Sequence, residues 1–364
     1  MNRFPGKLAV LQRVLPNYRV PFFDLLASAC DGGMSLFTGS PRPVEGITTA
    51  DNLQTASYTQ GENVHLFDGR FYFCYQKGLL EWLKKENPDA LIVEANPRYL
   101  STPAAVYWVQ KQNKPVIGWG LGSPPASGLR KKRRARFINQ FDAMISYSQR
   151  GADEYATLGF PHEKIYVAHN SVSPAPSHPL PNRPSTFDVQ PNILFIGRLQ
   201  ARKRVDYLIR ACAKIQNLKL IIVGDGPERT PLEALAKEIY PSAVFIGAKH
   251  GSELKPYFEE ADIFVLPGTG GLAVQEAMSY GLPVIVAQGD GTQDDLVRKE
   301  NGWQIPPDDF DSLVSTMKDA LSDVARLRWM GIESYRIVKE EINIERMVDV
   351  FMSVANAVNS FSAK

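Results

Sequence analysis

The sequence predicts an α/β protein with two doubly wound, Rossmann-like domains. The chain has 364 residues, 44% of them apolar, which is enough for about two domains with a core each. In both halves, short apolar runs of strand length alternate with segments of helical periodicity, a pattern typical of parallel sheets with crossover helices. Between the halves, residues 171–190 contain five prolines and no apolar periodicity, which indicates a linker. We therefore expect domains at residues 1–170 and 191–340, followed by a helical segment at 341–364.

Strands and helices alternate along the first domain. Predicted strands cover residues 8–11, 90–94, 115–118, 143–146 and 164–168; predicted helices begin at Pro21 and cover 73–85, 103–112 and 129–141. Because open parallel sheets bind ligands at the carboxyl ends of their strands, residues that follow these strands are candidates to line one cleft. They are Tyr18, Arg19, Glu94, Arg98 and Trp119. A surface-loop role for Tyr18 and Arg19 and a loop-bracing role for Glu94 are the alternatives.

The two halves carry opposite net charge. Residues 1–180 hold 20 Lys/Arg against 14 Asp/Glu, a balance of +6, and residues 181–364 hold 21 against 25, a balance of −4. The positive excess is concentrated between Arg130 and Arg136, where six basic residues precede Phe137 and Ile138. This pattern predicts a basic amphipathic helix that contacts an anionic membrane surface or an anionic acceptor. A solvated helix face and nucleic-acid binding are the alternatives, and we do not expect nucleic acid as a partner.

Cysteine usage and hydropathy exclude several classes of protein. Cys30, Cys74 and Cys212 are odd in number and scattered, which fits reduced thiols and offers neither a disulfide framework nor a metal-ligand cluster. No apolar run approaches the roughly 18 to 20 residues of a membrane span, and no signal-peptide core follows the amino terminus. We expect a cytoplasmic protein without a structural metal.

The second domain repeats the alternation of strands and helices. Predicted strands cover residues 192–197, 218–224, 243–247, 263–266 and 284–286; predicted helices cover 205–215, 231–239, 252–260, 272–280 and, near the carboxyl terminus, 347–358.

A glycine-rich turn between a strand and a helix is the most informative stretch of this domain. Gly268, Gly270 and Gly271 allow a sharp bend with Thr269 between them, and Leu272 begins the helix. The unpaired N–H groups and the positive dipole end of such a helix suit a phosphate or a sugar oxygen. One turn further on, the carboxylate of Glu276 could accept hydrogen bonds from a diol such as a ribose. Alone, a turn of this kind more often solves only a packing problem.

Two further segments converge on the same edge of the predicted sheet. Gly197 to Lys203 follows the first strand of the domain, and Gly224-Asp-Gly226 follows the second. Arg198 offers a planar fork and Lys203 a point charge, both suited to a diphosphate. Pairing of Arg198 with Asp206, and a surface role for Lys203, are the alternatives. Three coincident segments favour a diphosphate site.

The order and spacing of these motifs resemble the retaining GT-B glycosyltransferases of the family 4 type. The matching motifs are Gly197-Arg-Leu with Lys203 and Asp206-Tyr-Leu-Ile209, Leu220 to Pro227, Ala261 to Pro267, Gln275-Glu-Ala-Met278, Gly281 to Ile285 and Asn301-Gly302. They cover nearly all of residues 190–305, whereas residues 1–170 match only as a general Rossmann-like acceptor domain.

The resemblance implies a function and a set of site residues. It implies a GT-B fold, in which two Rossmann-like domains face a central cleft and the final helix crosses back to the first domain. A nucleotide sugar would bind in the cleft, with its base near Lys249 and His250. The donor-binding set is Gly197, Arg198, Lys203, Gly224, Gly226, Lys249, His250, Gly268, Thr269, Gly270, Gly271, Leu272 and Glu276.

Within that set, the resemblance assigns Arg198 and Lys203 to the diphosphate, as the catalytic cations, and Glu276 to the ribose. It implies transfer without metal or cofactor and with retention of configuration. The expected acceptor is a glycan or a lipid-linked saccharide of cell-surface polysaccharide, bound by the five candidates of the first domain. The donor is expected to be a UDP- or GDP-hexose or deoxyhexose, and the protein cytoplasmic or peripheral on the inner membrane face.

Two positions depart from the family pattern. A second glutamate usually stands eight residues before the position of Glu276, where this chain has Gly268. Many relatives carry a histidine in a Trp-Gly-His-Gly-like loop, where this chain has Leu121. Two alternatives therefore stand beside the transferase: a nucleotide-sugar epimerase on the same fold, and a catalytically degenerate nucleotide-binding subunit that partners an active transferase.

Overall fold

The computed structural model describes residues 2–187, 190–289 and 291–362, with only the backbone described for 360–362. Residues 188–189 of the predicted linker, Asp290 of the predicted second domain, and the ends of the predicted outer segments, Met1 and 363–364, lie outside the described residues. The chain forms two compact units, Met1–Val172 with Ile344–Lys364 and Ser173–Asn343.

The first unit is built on a seven-stranded parallel sheet. Its strands are β1 (Leu8–Leu11), β2 (Met34–Thr38), β3 (Ser57–Gln60), β6 (Ala90–Glu94), β7 (Val116–Gly120), β8 (Ala143–Ser146) and β9 (Ile165–Val167), while β4 (Glu62–Leu66) and β5 (Phe73–Lys77) form a separate antiparallel hairpin. The helices are α1 (Val20–Ser28), α2 (Leu79–Glu86), α3 (Thr102–Gln110), α4 (Gly128–Ile138) and α5 (Gln149–Thr157). The strand order is β3-β2-β1-β6-β7-β8-β9; the five inner strands are almost entirely buried, whereas the edge strands β3 and β9 are partly exposed.

The prediction of a single helix over residues 73–85 is wrong. Residues 73–77 form strand β5, whose side chains alternate between buried and exposed as a half-buried strand requires. Gly78 then adopts φ +78°, a left-handed conformation that ends the strand, and α2 begins at Leu79. The strands β2, β3, β4 and β15, the last at Gly302–Ile305, were not predicted because their apolar runs are short or interrupted.

The second unit is built on a six-stranded parallel sheet. Its strands are β10 (Asn192–Ile196), β11 (Lys219–Val223), β12 (Val244–Gly247), β13 (Ile263–Leu266), β14 (Val284–Ala287) and β15, in the order β12-β11-β10-β13-β14-β15. The helices are α6 (Val205–Ile215), α7 (Arg229–Ile239), α8 (Lys255–Glu260), α9 (Leu272–Ser279), α10 (Thr292–Leu296), α11 (Phe310–Ser322) and α12 (Val324–Glu340). One apolar core covers both faces of this sheet.

The described part of the proline-rich segment is fixed to the second unit by Arg183. Its guanidinium donates hydrogen bonds to the carbonyl oxygens of Phe258 (2.8 Å), Ala261 (3.0 Å), Tyr280 (2.7 Å) and Gly281 (3.2 Å). These carbonyls lie at the carboxyl ends of α8 and α9, where helix carbonyls lack partners of their own. Burial lowers the pKa of Arg183 to about 10.

The last helix, α13 (Ile344–Ser362), belongs to the first unit. Phe351 on this helix packs edge-on against Trp119, with ring centroids 4.9 Å apart, and against Phe22 at 5.2 Å. The helix therefore completes the apolar core on one face of the first sheet.

Each sheet has one position at which the chain changes direction across the sheet. In the first unit, β1 lies between β2 and β6; in the second, β10 lies between β11 and β13. Ligands of open parallel sheets bind beyond the carboxyl ends of the strands at such a switch point. The loops after β1 and β6, and those after β10 and β13, are therefore the places to look for binding residues.

Candidate functional site

A cavity of about 590 Å³ lies at the carboxyl ends of β10, β11 and β12. Its wall contains six of the residues that the sequence predicts for donor binding: Gly197, Arg198, Gly224, Gly226, Lys249 and His250. Ile196, Val223, Ala248 and Leu254 supply an apolar part of the wall. A cavity of this size, with an apolar part and a few polar groups, is typical of a small-molecule site.

Glycines in this wall are required because two loops approach each other backbone to backbone. A Cβ atom on Gly224 would lie 1.9 Å from the carbonyl oxygen of Gly197, and one on Gly226 would lie 2.2 Å from that of Leu199. Leu199 N–H donates to the carbonyl oxygen of Asp225 at 2.9 Å and holds the loops together. The loop after β11 thus presents main chain at Gly224 and Gly226, where the sequence predicts a diphosphate; Asp225 between them also lines the cavity, and its carboxylate pairs with Arg229 at 3.2 Å.

Lys203 connects the loop after β10 to the glycine-rich loop after β13. Its side chain is buried, and its Nζ donates to the carbonyl oxygens of Thr269 (2.9 Å) and Gly270 (2.6 Å). Burial and the neighbouring charge of Arg202 lower the pKa of Lys203 to about 8. Among the described residues no carboxylate pairs with Lys203. The described residues therefore supply no carboxylate to neutralise this buried positive charge.

Gly268 stands in a space that the main chain fills. A Cβ atom there would lie 2.2 Å from the carbonyl oxygen of Arg202 and 2.5 Å from backbone atoms of Lys203. A glutamate at position 268, as the family pattern has it, does not fit this backbone. The next residues continue the loop: Thr269 is exposed, and Gly270 has φ +71°, a conformation that glycine adopts without strain.

Helix α9 begins at Leu272, directly after the glycine-rich loop, and Glu276 lies one turn into this helix. Its side chain is partly buried, and burial raises the pKa of its carboxyl. Within the described part of the chain no side chain or N–H group donates to this carboxylate. A partly buried carboxylate that accepts no hydrogen bond from the described residues is available to the hydroxyl groups of a ligand.

Lys249 and His250 differ in how strongly the protein engages them. Lys249 Nζ lies 2.9 Å from the Glu253 carboxylate, which raises the pKa of Lys249. The Glu253 carboxylate also accepts from His250 N–H at 3.4 Å. Both residues line the cavity, and the His250 side chain also accepts from the Glu253 N–H in a capping box at the start of the next helical turn.

At the switch point of the first unit, Glu94 braces the main chain. Its carboxylate accepts from Arg13 N–H at 3.1 Å and from the Tyr99 hydroxyl at 2.9 Å, and burial raises its pKa. The Arg13 side chain in turn pairs with Glu45 at 2.8 Å. Arg13 was not predicted, although its place two residues after β1 is a signal that could have identified it.

The remaining acceptor candidates divide into exposed and buried residues. Tyr18 is 46% exposed, and Arg98 lies at the surface. Arg19 is buried and donates to the carbonyl oxygen of Ser171 at 3.1 Å and to the side-chain oxygen of Asn170. Trp119 is 1% exposed and packs in the core described above. In the structure, Arg19 and Trp119 are buried by residues from distant parts of the chain and therefore have packing roles.

Over the described residues, no group of His, Cys, Asp and Glu side chains could hold a metal ion. Nor does any helix in those ranges have the length and apolar character needed to cross a membrane.

Two family models match this sequence and between them cover both units. The model for glycosyl transferases group 1 matches residues 190–323, and the model for glycosyltransferase family 4 matches residues 49–175. The chain belongs to glycosyltransferase family 4.

Curated relatives match this chain over part of their length. An uncharacterized glycosyltransferase, MJ1607 of Methanocaldococcus jannaschii, is 33% identical over 180 residues, which are 45% of this chain and 46% of the relative. A GDP-mannose-dependent alpha-mannosyltransferase of Mycobacterium tuberculosis is 37% identical over 127 residues, 34% of this chain and 32% of the relative. The chain thus spans less than half the length of these curated relatives.

A solved structure resembles the chain over its full length. The lipopolysaccharide outer core galactosyltransferase WaaB, in its apo form, superposes with a TM-score of 0.66 at 20% identity and covers 98% of this chain and 100% of its own. The prediction of an α/β protein of the GT-B type is confirmed.

The substitution Glu276→Gln tests whether the Glu276 carboxylate lowers the free energy of unfolding, as expected of a residue that serves a ligand and not the fold. Because burial raises the carboxyl pKa, the ionised form is less favourable in the folded than in the unfolded chain. We expect the variant to raise the free energy of unfolding at pH 7 by about 0.5–1.5 kcal/mol, measured by urea titration. The gain should shrink as pH falls through the raised pKa and vanish below about 4.5, where both states are protonated.

The matched control is Glu238→Gln, at an exposed position on α7, which should leave the free energy of unfolding unchanged. A loss of stability in Glu276→Gln at pH 7 would mean that the carboxylate stabilises the fold.

Proposed function

We propose that the protein is a retaining, metal-independent glycosyltransferase that moves a hexose or deoxyhexose from a UDP- or GDP-sugar to a saccharide acceptor. Two observations carry this proposal. The cavity is open and partly lined by glycine main chain, and the loop that forms part of its wall continues to the buried Lys203, which has no carboxylate partner among the described residues. A nucleoside diphosphate supplies both an apolar base and the missing negative charge.

The donor would occupy the cavity and extend beyond it toward Lys203 and Glu276, which are not part of the cavity wall. Its base would lie against Ala248 to His250, its diphosphate over the glycine loops near Arg198 and Lys203, and its ribose diol on the carboxylate of Glu276. The GDP-mannose dependence of the mycobacterial relative supports a nucleotide diphosphate sugar as the donor class.

The acceptor would bind the first unit at the switch point of its sheet, where Tyr18 and Arg98 are accessible and Glu94 fixes the loop that carries Arg98. We propose a glycan or a lipid-linked saccharide of cell-surface polysaccharide. The name of the structural neighbour, a lipopolysaccharide outer core galactosyltransferase, supports this class.

In the proposed transfer, an acceptor hydroxyl oxygen bonds to the anomeric carbon on the face from which the diphosphate departs. The bond between that carbon and the diphosphate oxygen breaks, the nucleoside diphosphate takes the electron pair, and its terminal phosphate takes the hydroxyl proton. Arg198 and Lys203 stabilise the charge that develops on the leaving group, which is the task a metal ion performs in other sites.

The variants Arg198→Ala and Lys203→Met test this proposal. Each removes one cation from the leaving group and should lower kcat/KM by about 10²–10³. The assay measures transfer from a panel of UDP- and GDP-sugars to saccharide acceptors, with EDTA present, and the anomeric configuration of the product by NMR. Lys237→Ala, at an exposed position on α7, is the control and should transfer as the wild type does.

Wild-type rates in both cation variants, or inversion in the product, would contradict the proposal. Loss of transfer upon chelation would contradict its metal-independent part.

A second candidate, a nucleotide-binding subunit that partners an active transferase, is favoured by the crowding at Gly268. With main chain in place of the family glutamate, the sugar loses one carboxylate contact. The two candidates separate in one measurement, because the subunit binds nucleoside diphosphate and the purified protein shows no turnover.

We also propose that the protein works at the inner face of the membrane and that α4 contacts anionic lipid there. Five of the six cations of this helix are exposed, and within the described residues none of the six forms an ion pair. Ile138 at the end of the helix is buried in the core, and Leu129 at its start is 74% exposed. Each cation held at an anionic surface contributes about 1 kcal/mol.

The double variant Lys131→Gln/Lys132→Gln tests this contact. We expect its affinity for vesicles of phosphatidylglycerol and phosphatidylcholine to fall about 30-fold at low salt, measured by co-sedimentation. Lys84→Gln/Lys85→Gln, two adjacent exposed lysines of α2, is the matched control and should bind as the wild type does. Equal losses in both double variants, or binding that is insensitive to salt, would contradict a role for α4.

A further inference from the structure

The antiparallel hairpin of β4 and β5 has an apolar outer face. Between the ion pair at its base and the turn at its other end, this face consists of Val64, Leu66, Phe73 and Tyr75. Leu66 is 36% and Tyr75 47% exposed, and the other two side chains are half-buried. An antiparallel sheet with one face in water normally buries its apolar face and exposes its polar face. The hairpin shows the reverse arrangement.

The inner face of the hairpin is polar and is bound to the first unit by hydrogen bonds. Asn63 Nδ2 donates to the carbonyl oxygen of Arg13 at 2.7 Å, and Gln76 Nε2 donates to that of Gln12 at 3.0 Å. A shift of either strand by one residue would exchange the faces and break these bonds. The apolar face is therefore held outward by specific polar contacts.

The tip of the hairpin, residues 67–71, adds two exposed phenylalanines. Phe67 is 73% and Phe71 60% exposed. Phe67 has φ +58°, a strained conformation for a bulky residue, and packing within the protein does not offset that strain because the ring is largely exposed. Close to the tip, Arg42 pairs with Asp68 at 2.7 Å, and Val44, two residues along the chain, is 86% exposed.

Charge is distributed unevenly along the hairpin. At the base, Lys77 pairs with Glu62 at 2.7 Å. At the tip, Cζ of Arg70 lies 4.8 Å from the centroid of the Phe71 ring, and Arg70 pairs with no carboxylate among the described residues. Apolar side chains beside an unpaired arginine match the interface of a bilayer, where the guanidinium can bind phosphate headgroups while the apolar groups reach the acyl chains.

The exposed apolar area is small for a protein interface. If a fully exposed aromatic side chain offers about 200 Å², Phe67, Phe71 and Tyr75 together expose about 350 Å², against about 800 Å² per partner in a stable interface. Insertion into lipid requires no complementary surface and gains the same free energy of apolar transfer. Lipid is therefore the occupant that this face fits best.

We propose that the tip of the hairpin inserts into the lipid bilayer and anchors the first unit there. Asp68 and Arg70 keep the insertion shallow, at the level of the headgroups. This contact is apolar, whereas the contact proposed for α4 is electrostatic.

The anchor also bears on the acceptor. Strand β5 is joined to the loop after β6, since Cys74 N–H donates to the carbonyl oxygen of Arg98 at 3.0 Å and the Cys74 carbonyl oxygen accepts from Leu100 N–H at 2.8 Å. An inserted hairpin would hold this loop at the membrane surface. That position suits an acceptor whose lipid lies in the bilayer, a step that rests on the proposed function.

A fluorophore at the tip tests the insertion. Because Cys30, Cys74 and Cys212 are buried, Phe67→Cys in the full chain can be labelled selectively with an environment-sensitive dye. Vesicles of phosphatidylcholine alone should shift the emission to the blue and raise its intensity at least twofold, at low and at high salt alike. The same label at Trp329→Cys, an exposed position on α12, is the matched control and should not respond.

The double variant Phe67→Asn/Phe71→Ser provides a second measurement. Its partition into the same vesicles, measured by co-sedimentation, should fall at least tenfold. Its urea unfolding should match that of the wild type, because both side chains are exposed and asparagine tolerates a positive φ. Trp329→Ser is the control and should partition as the wild type does.

A labelled tip that does not respond to vesicles, or equal partition of the double variant and the wild type, would overturn the inference. So would loss of self-association in the double variant with vesicle binding unchanged, which would assign this face to a second copy of the chain. Transfer to a water-soluble acceptor should be the same in the double variant and the wild type. Absence of transfer by the wild type would overturn the transferase proposal and leave the insertion of the hairpin standing.

Discussion

A buried ammonium group donates two of the hydrogen bonds that join the loops at the switch point of the second sheet. Lys203 Nζ donates to the carbonyl oxygens of Thr269 and Gly270, and a main-chain bond from Thr269 N–H to the carbonyl oxygen of Arg202 at 3.0 Å joins the same loops. Carbonyl oxygens stabilise an ammonium but do not neutralise it, and burial without a counter-charge is costly. The depressed pKa of Lys203 expresses that cost, and an anion in the site would offset it.

The same constraint explains the glycines around this lysine. Because the main chain of residues 202–203 lies against position 268, and the carbonyls of Gly197 and Leu199 lie against Gly224 and Gly226, none of these positions has space for a side chain. In the first unit a negative charge has the comparable position: the Glu94 carboxylate accepts hydrogen bonds from the loop after β1 and from the loop after β6. In both units, a charged side chain at the switch point forms hydrogen bonds between the loops that follow two neighbouring strands. Buried, shifted groups of this kind concentrate at functional sites.

The sequence was sufficient for elements whose signals are local. Helix α6 and strand β13 have the predicted bounds, Val205–Ile215 and Ile263–Leu266, because uninterrupted apolar periodicity and flanking turn residues define both. The glycine loops and the six predicted residues of the cavity wall come together because parallel strands bring their carboxyl ends to one edge. The roles of these residues in donor binding stay predictions.

Features that depend on distant contacts could not be predicted in this way. The burial of Trp119 depends on Phe351, which lies far along the chain on a helix that returns to the first unit. Strand β5 replaces the first five residues of the helix predicted over 73–85, because cross-strand pairing with β4, such as Val64 opposite Tyr75, prevails over local propensity. Arg202 and Arg13 were not predicted for a related reason. Their partners, Thr269 and Glu94, are far away in the sequence and come near only when the strands pair.

The most direct test of this account is the pKa of the Lys203 ammonium, measured by NMR of the lysine side chains with and without a nucleoside diphosphate. The account predicts a pKa of about 8 in the free protein and a clear rise when the diphosphate binds beside it. A pKa at the ordinary lysine value of 10.5, unchanged by UDP and by GDP, would show that Lys203 is neither an uncompensated charge nor part of a diphosphate site.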